Sequence, residues 1–401
     1  METMTFLKTS FWILFTLVFY TYLGYGILLY ILVKVKEFFV KPEVFQLPED
    51  NLLPEVSILI AAYNEEAIIP QKMQNCKLLD YPAEKLKIVW VSDGSTDNTN
   101  NLLAIYPDAM VLYEQVRAGK TAAINRAMKD IRSPLVAFTD ANTMLNPTAI
   151  REIVKSFENP DVGCVAGEKR ISVAQNDLAS SSGEGIYWKY ESTLKALDSR
   201  LYSAVGAAGE LFAIRRELFE EMERDTLLDD FMLSMRIACK GYKIDYCSNA
   251  YAYESGSASI KEENKRKKRI AAGGLQSIYR LRSLLNVFRT PVLSFQYISH
   301  RVLRWSLTPV SLFLLFPLNI LILIYFPGNV LYLILFLLQV IFYIMGLLGK
   351  YHEDKEIKSK IILIPYYFLF MNISVFQGFN YLIKKKKGDG TWEKAKRSSI
   401  G

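Results

Sequence analysis

Residues 56–66 read VSILIAAYNEE: an apolar run from Val56 to Ala62 stops at a polar turn of Tyr63, Asn64, Glu65 and Glu66. Lys87 to Asp93 repeats the form and runs into Gly94 and Ser95. Met110 to Tyr113 is a further short run, and Leu135 to Asp140 is a fourth. Helical stretches such as Thr121 to Ile131 lie between them. Alternating strands and helices imply an α/β domain with a parallel sheet and helices on its faces. Nearly continuous apolar strands fit a sheet covered on both sides.

In such sheets ligands bind beyond the carboxyl ends of the strands. This sequence keeps its acids there. Asn64 and Glu65 follow one strand, Asp93 ends a second, and Asp140 and Asn142 close the fourth, with Lys120 between them in sequence. A single Asp after a strand also serves as a turn former or helix N-cap. Three strands ending this way with a lysine point to a polyanion site. Acids beside phosphate require an intervening cation or a sugar or base to read, and Mg²⁺ characteristically combines few carboxylates with phosphate oxygens.

Outward from this middle region the composition changes. The chain has 401 residues, a formal charge of +7 and 51% hydrophobic residues, of which 24 are Tyr and 23 Phe. That content excludes disorder. The four cysteines, Cys76, Cys164, Cys239 and Cys247, have no close spacing, which excludes a disulfide framework and a cysteine zinc site. His300 and His352 are the only histidines, too few for a histidine-rich metal centre.

Four runs lack Asp, Glu, Lys and Arg: Thr9 to Val33, Trp305 to Phe326, Asn329 to Gly349 and Ile361 to Ile383. Each is long enough to cross a bilayer, which takes about 20 helical residues. Lys34, Lys36 and Lys41 follow the first run and mark its cytoplasmic end. Pro327-Gly328 connects the second and third. The fourth contains Pro365, Asn372, Gln377 and Asn380, which leaves spanning, re-entrant and interfacial readings open. The block Lys384 to Lys387 prefers the inside, whereas three spans after a cytoplasmic domain put the C-terminus outside. Charge-free runs argue against an ion-conducting path. Because the basic residues cluster at membrane boundaries, lipid rather than nucleic acid is the expected partner. Tyr187, Trp188, Tyr190, Leu194 and Leu197 recur near helical spacing, and residues 284–304 form a second stretch expected at the membrane interface.

The motifs in the middle region resemble those of the inverting family 2 glycosyltransferases, over roughly Pro54 to Gln276, and the flanking runs resemble the membrane-embedded synthases of that family. The resemblance implies an α/β GT-A (Rossmann-like) domain inserted between transmembrane helices, one N-terminal and about three C-terminal. The expected layout is 1–40 for the first span, 54–289 for a cytoplasmic transferase domain, 290–304 for an interfacial helix, 305–383 for the later spans and 384–401 for a basic tail. It also implies site residues. Ala62 to Glu66 is similar to the opening nucleotide-binding motif, so Tyr63, Asn64 and Glu65 are expected on the donor. Ser92 to Asp97 is similar to the second motif, whose first Asp, here Asp93, reads the nucleobase. Ala118 to Asn125 is similar to the segment whose lysine, Lys120, meets the diphosphate. Thr139-Asp140-Ala141-Asn142 stands at the Asp-X-Asp metal motif, so Asp140 and Asn142 are expected on Mg²⁺ or Mn²⁺. Asn142 departs from the pattern, since it offers a neutral carbonyl. The alternative is that it caps a following helix.

Downstream, Gly206, Gly209 and Glu210 lie in a segment similar to the family's glycine-rich acceptor side. Leu228-Asp229-Asp230 is similar to its Thr-Glu-Asp motif, which implies Asp230 as catalytic base with Asp229 beside it. Adjacent carboxylates raise each other's pKa. The same pair also suits the first turn of a helix. Arg269 aligns with the arginine of Gln-X-X-Arg-Trp, Arg266 with its glutamine and Ile270 with its tryptophan. Both arginines are expected on phosphate, and the surrounding basic run also suits anionic lipid. Gly390-Thr391-Trp392 loosely resembles a tryptophan motif of such synthases. The resemblance implies transfer from a nucleotide-diphosphate sugar, expected to be a UDP-sugar. The acceptor is a growing polysaccharide passed across the membrane, or in the alternative a lipid or polyprenyl-linked acceptor. A homo-oligomer is compatible with so few spans.

Overall fold

A computed structural model describes residues 2–41, 43, 45–171, 179–254, 260–353 and 360–384. The chain divides into two compact units, 33–174 with 188–256, and 1–32 with 175–187 and 257–384. The expected basic tail beyond Lys384, Gly390-Thr391-Trp392 and the side chain of His352 lie outside the described residues.

The first of these units is built on one mixed sheet of eight strands. They are β1 (Val56–Ala62), β2 (Leu86–Asp93), β3 (Ala109–Glu114), β4 (Leu135–Asp140), β5 (Thr143–Leu145), β6 (Val162–Ile171), β7 (Phe212–Arg215) and β8 (Lys243–Glu254). Their spatial order is β3-β2-β1-β4-β7-β6-β8-β5. The four strands expected from the apolar runs are mutually parallel. The other half departs from the expected parallel sheet: β7 runs antiparallel to both β4 and β6, and β5 runs antiparallel to β8. The second half has a physical reason to be less legible, because β7 is only four residues long and β5 three.

Strand β1 has β2 on one side and β4 on the other. The chain therefore leaves β1 in one direction and returns on its other flank, which opens a crevice at the strands' carboxyl ends. Register sets what borders it, since Ala61 pairs with Asp140 and Ala62 with Ser92. The strands beneath are buried on both faces, with Leu59, Val89, Val136 and Phe138 on one and the main core on the other. Ile58, Ile60, Trp90 and Ala137 pack with Ile69 and Met73 from the helix Ile69–Lys77 and with Ile150, Ile153 and Val154 from the helix Ala149–Phe157.

The second unit is helical, and among the described residues four helices are long and apolar enough to cross a membrane: Glu2–Phe39, Leu307–Tyr325, Val330–Tyr351 and Ile362–Lys384. The first contains a π-helical segment, Tyr20–Gly24. Pro365 lies inside a continuous helix, Lys360–Lys384, so the re-entrant alternative for the fourth run does not apply to this backbone. Residues Pro291–Trp305 form a shorter helical rod with its own π segment, Ile298–Val302, and the backbone breaks at Ser306 before the next long helix. Leu7 and Phe11 pack against Leu315, Ile322 and Tyr332. Polar side chains tie the helices together, as interhelical hydrogen bonds do in lipid: Trp12 Nε1 donates to Tyr332 (3.1 Å), Thr21 and Thr308 share a bond of 2.9 Å, and Tyr22 donates to Asn372 (2.6 Å). Asn372 thus serves a helix contact. His300 is buried beside the ring of Tyr25, which fits its structural reading.

Candidate active site

The turn after β1 is held by the turn after β2. Asn64 adopts a left-handed backbone, φ 53°, which asparagine tolerates better than most residues. Its backbone N–H donates to Ser95 Oγ (3.1 Å), and its Oδ1 accepts from the Thr96 N–H (2.8 Å). The Glu65 N–H donates to Thr99 Oγ1 (2.8 Å), and Glu66 Oε2 accepts from the Asn98 N–H (2.9 Å). Tyr63 lies under the Arg117 guanidinium, 3.7 Å from ring centroid to Cζ. Arg117 was not singled out in the sequence, although it precedes the Ala118–Asn125 motif directly.

Asp93 is buried, and its carboxylate accepts from the Ala118 N–H (3.0 Å) and the Gly119 N–H (2.7 Å). It therefore fixes the loop from which the helix Lys120–Asp130 starts. Lys120 at the helix start reaches Asp140 Oδ1 at 2.7 Å and Asp229 Oδ2 at 3.6 Å. Asp229 and Asp230 open the helix Asp229–Cys239. Both residues of the adjacent pair thus also occupy its first turn, where negative charge is favourable.

Glycines bring these pieces together. A Cβ on Gly209 would stand 3.3 Å from Asp230 Oδ2, 3.5 Å from Lys120 Nζ and 3.7 Å from Asp140 Oδ2. Two carboxylates and one ammonium thus gather around one bare backbone position, and the ammonium reaches a third carboxylate, Asp229. Gly206 has φ 84°, and a Cβ there would lie 2.1 Å from the Phe231 ring. Ser234, one turn along the Asp229–Cys239 helix, accepts from the Ala207 N–H (2.9 Å) and donates to the Asp230 carbonyl (2.8 Å). Gly206→Ala forces Phe231 and the start of this helix to move. A left-handed alanine costs about 1–2 kcal/mol before the clash is counted. We expect a fall in Tm of at least ~4 °C, measured by thermal unfolding followed by circular dichroism. An unchanged Tm would refute this packing.

Charge decides the electrostatics. Burial works against the Lys120 ammonium, but Asp140 and then Asp229 outweigh it and raise its pKa above the ordinary lysine value. Asp230 moves the other way from an ordinary carboxylate. Burial first, and then the negative charge of Asp229, push it up to about 7, while Lys120 partly offsets them. Among the described residues no three His, Cys, Asp or Glu side chains form a metal cage. Asp140, Asp229 and Asp230 nevertheless exceed Lys120 in charge, and Asp229 Oδ2 is buried without a hydrogen bond among the described residues. Such a cluster fits a cation carried in largely by its own phosphate ligands.

The remaining expected residues fall in two places. Asn142 lies in the turn between β4 and β5, while the next helix begins at Ala149, so the alternative that it caps a following helix does not hold. Glu210 is buried with its carboxylate on Lys169 Nζ (2.7 Å), and Lys169 also bonds Glu254. Its side chain is thus committed to a buried ion cluster next to Gly209. Arg266 and Arg269 stand on the helix Ile260–Arg280, which belongs to the other unit, and Arg266 there is buried beside Glu263 (3.5 Å).

Residues 57–223 match the family model described as glycosyl transferase family 2. The chain is 28% identical over 254 residues to a beta-monoglucosyldiacylglycerol synthase of Nostoc sp. (strain PCC 7120 / SAG 25.82 / UTEX 2576), covering 59% of this chain and 53% of that protein. It is 26% identical over 245 residues to a poly-beta-1,6-N-acetyl-D-glucosamine synthase of Staphylococcus aureus (strain COL), covering 58% of each. The alignment therefore spans little more than half the length of these relatives. Among solved structures it is similar to a mannosyltransferase, PcManGT, from Pyrobaculum calidifontis in complex with GDP-Man and Mn2+, with a TM-score of 0.70, 20% identity, and coverage of 95% of this chain and 100% of that one. At that identity the similarity carries the fold. The chain thus carries a glycosyltransferase family 2 domain in a GT-A frame, set in sequence between helices long and apolar enough to cross a membrane.

Proposed function

We propose that the chain transfers a sugar from a UDP-sugar to an acceptor hydroxyl with inversion at the anomeric carbon. The observation that carries this reading is the gathering of Asp140, Asp230 and Lys120 around Gly209, with Asp229 3.6 Å from the Lys120 ammonium. Asp230 takes the proton of the attacking hydroxyl as the new glycosidic bond forms and the bond to the UDP oxygen breaks. Asp229 keeps the Asp230 carboxylate basic. Lys120 faces the departing diphosphate, and fixed positive charge there is often the largest catalytic contribution. Asp140 and Asn142 would hold Mg²⁺ or Mn²⁺, which would supply charge neutralisation to the leaving group. Tyr63, Asn64, Glu65 and Asp93 shape the nucleotide side. Gly206, Gly209 and Glu210 form the acceptor side, where Gly209 admits the acceptor and Glu210 holds the loop. The resemblance also implies Arg266 and Arg269 as phosphate contacts.

The acceptor in this reading is a growing polysaccharide, extended on the cytoplasmic face and passed through the membrane. Lys34, Lys36 and Lys41 after the first apolar run support that orientation. A second reading, one transfer to a lipid or polyprenyl-linked acceptor at the membrane face, is favoured by Ile270 in place of the tryptophan of processive synthases. The full chain in detergent or nanodiscs, offered a panel of UDP-sugars with Mn²⁺ or Mg²⁺, is expected to release UDP only with metal and with one donor class. A ladder of products supports the polymer reading, and a single added sugar on lipid supports the second. Release of UDP from no donor under any metal condition would refute the proposed donor.

A further inference from the structure

Lys72 is fully buried on the helix Ile69–Lys77. Its Nζ donates to Thr139 Oγ1 (3.1 Å) and to the Thr143 carbonyl (2.5 Å). A lysine ammonium has three N–H donors and no acceptor, so every bond it makes runs outward. The Thr139 hydroxyl accepts from Lys72, and its own proton is then free to go to the Glu210 carbonyl at 2.9 Å. The Thr143 hydroxyl donates to the Asp140 carbonyl at 2.9 Å. One buried cation therefore orders the Thr139 hydroxyl and holds the Thr143 carbonyl, and the two threonines tie down the backbone on both sides of the carboxylate cluster. On one side is the β4–β5 turn with Asp140 and Asn142, and on the other the loop with Gly209 and Glu210. One turn along the same helix, Asn75 grips β5 from both directions, through the Leu145 carbonyl (2.8 Å) and the Leu145 N–H (2.9 Å).

A core lysine is costly when a methionine would fill the same space. Burial lowers the Lys72 pKa to about 8, yet it remains largely protonated at neutral pH and its donors stay available. We propose that Lys72 is a positioning residue that sets the affinity of the site for its divalent cation, by fixing the turn of Asp140 and Asn142 against the Gly209 loop from behind. This rests on the reading of Asp140 as a metal ligand given above. It assigns Lys72 no contact with substrate.

The test measures Mn²⁺ binding to the full chain with UDP present, from the loss of the free-Mn²⁺ electron paramagnetic resonance signal, without turnover. Groups that orient metal ligands typically contribute 10–100-fold in metal affinity. Lys72→Met should weaken Mn²⁺ binding by at least ~10-fold while the protein still unfolds cooperatively. Thr139→Val, which keeps Lys72 but removes the relaying hydroxyl, should weaken it in the same direction. Met73→Ala, in the core on the same helix, should lower Tm and leave Mn²⁺ affinity unchanged. A folded Lys72→Met with wild-type Mn²⁺ affinity, or a Thr139→Val with none of the loss, overturns the proposal. Equal weakening by Met73→Ala also overturns it, since the effect would then be one of stability. A wild-type chain that takes up no Mn²⁺ with UDP overturns the metal reading itself, a result distinct from all of these.

Discussion

Asp230→Asn is expected to cut sugar transfer by orders of magnitude and to leave donor binding nearly intact. The amide has almost the same shape as the carboxylate and can keep its place at the start of the helix Asp229–Cys239. It cannot take a proton from the acceptor. General base action is worth about 10²–10⁴ in rate, so kcat should fall by that factor while binding of UDP changes little. The pH dependence follows from the same residue. The base must be deprotonated, and Asp230 titrates at about 7, so kcat/KM of the free wild-type enzyme should rise through neutral pH and level off above it. Stability runs in the opposite direction. Between the ordinary aspartate value and about 7 the folded protein holds a proton that the unfolded chain has lost, so this residue's contribution to stability is lost as pH rises through that window. Asp230→Asn removes this penalty and should be the more stable protein at pH 8, by on the order of 1 kcal/mol. Rate assays across pH with thermal unfolding at pH 5 and pH 8 check both halves. Wild-type turnover in the variant would end the assignment of Asp230 as base.

Strands β1 to β4 were readable from the sequence because each combines an apolar run with a polar stop, and a parallel sheet covered on both faces demands that pattern. Asp140, Lys120 and Asp230 were readable from motifs, although they are far apart in the chain. Their convergence at Gly209 was not, because it depends on β7 bringing its preceding loop beside β4. The motif implies Asp93 on the nucleobase, and the fold adds a second task that the motif does not show, since its oxygens anchor the loop before Lys120. Lys72 left no sequence signal, since a lysine in a helix with Gln71 and Gln74 reads as a solvated side chain. Burial by the β4–β5 turn is a tertiary fact. The π segments at Tyr20–Gly24 and Ile298–Val302 were equally silent, because both lie inside runs whose composition reads simply as helix.

Lys120→Met is the second large effect, and it tests whether the cluster acts as a unit. Lys120 bonds Asp140 at 2.7 Å and lies 3.6 Å from Asp229. Methionine preserves most of the side-chain volume and removes the charge. Asp140, Asp229 and Asp230 then face one another without their shared cation. Two consequences separate this from ordinary destabilisation. First, removing a positioned charge that faces the leaving group costs about 10²–10³ in kcat. Second, Lys120 is what offsets burial and Asp229 at the base. Without it the Asp230 pKa moves further up, so the pH at which the remaining activity reaches half its plateau should shift to the alkaline side of wild type. Raising the concentration of Mn²⁺ should recover part of the rate if a cation can re-enter the same negative cluster, whereas a protein merely loosened by the substitution gains nothing from metal. A variant whose residual activity keeps the wild-type pH midpoint would show that Lys120 and Asp230 are not coupled. The convergence at Gly209 would then be proximity without shared chemistry.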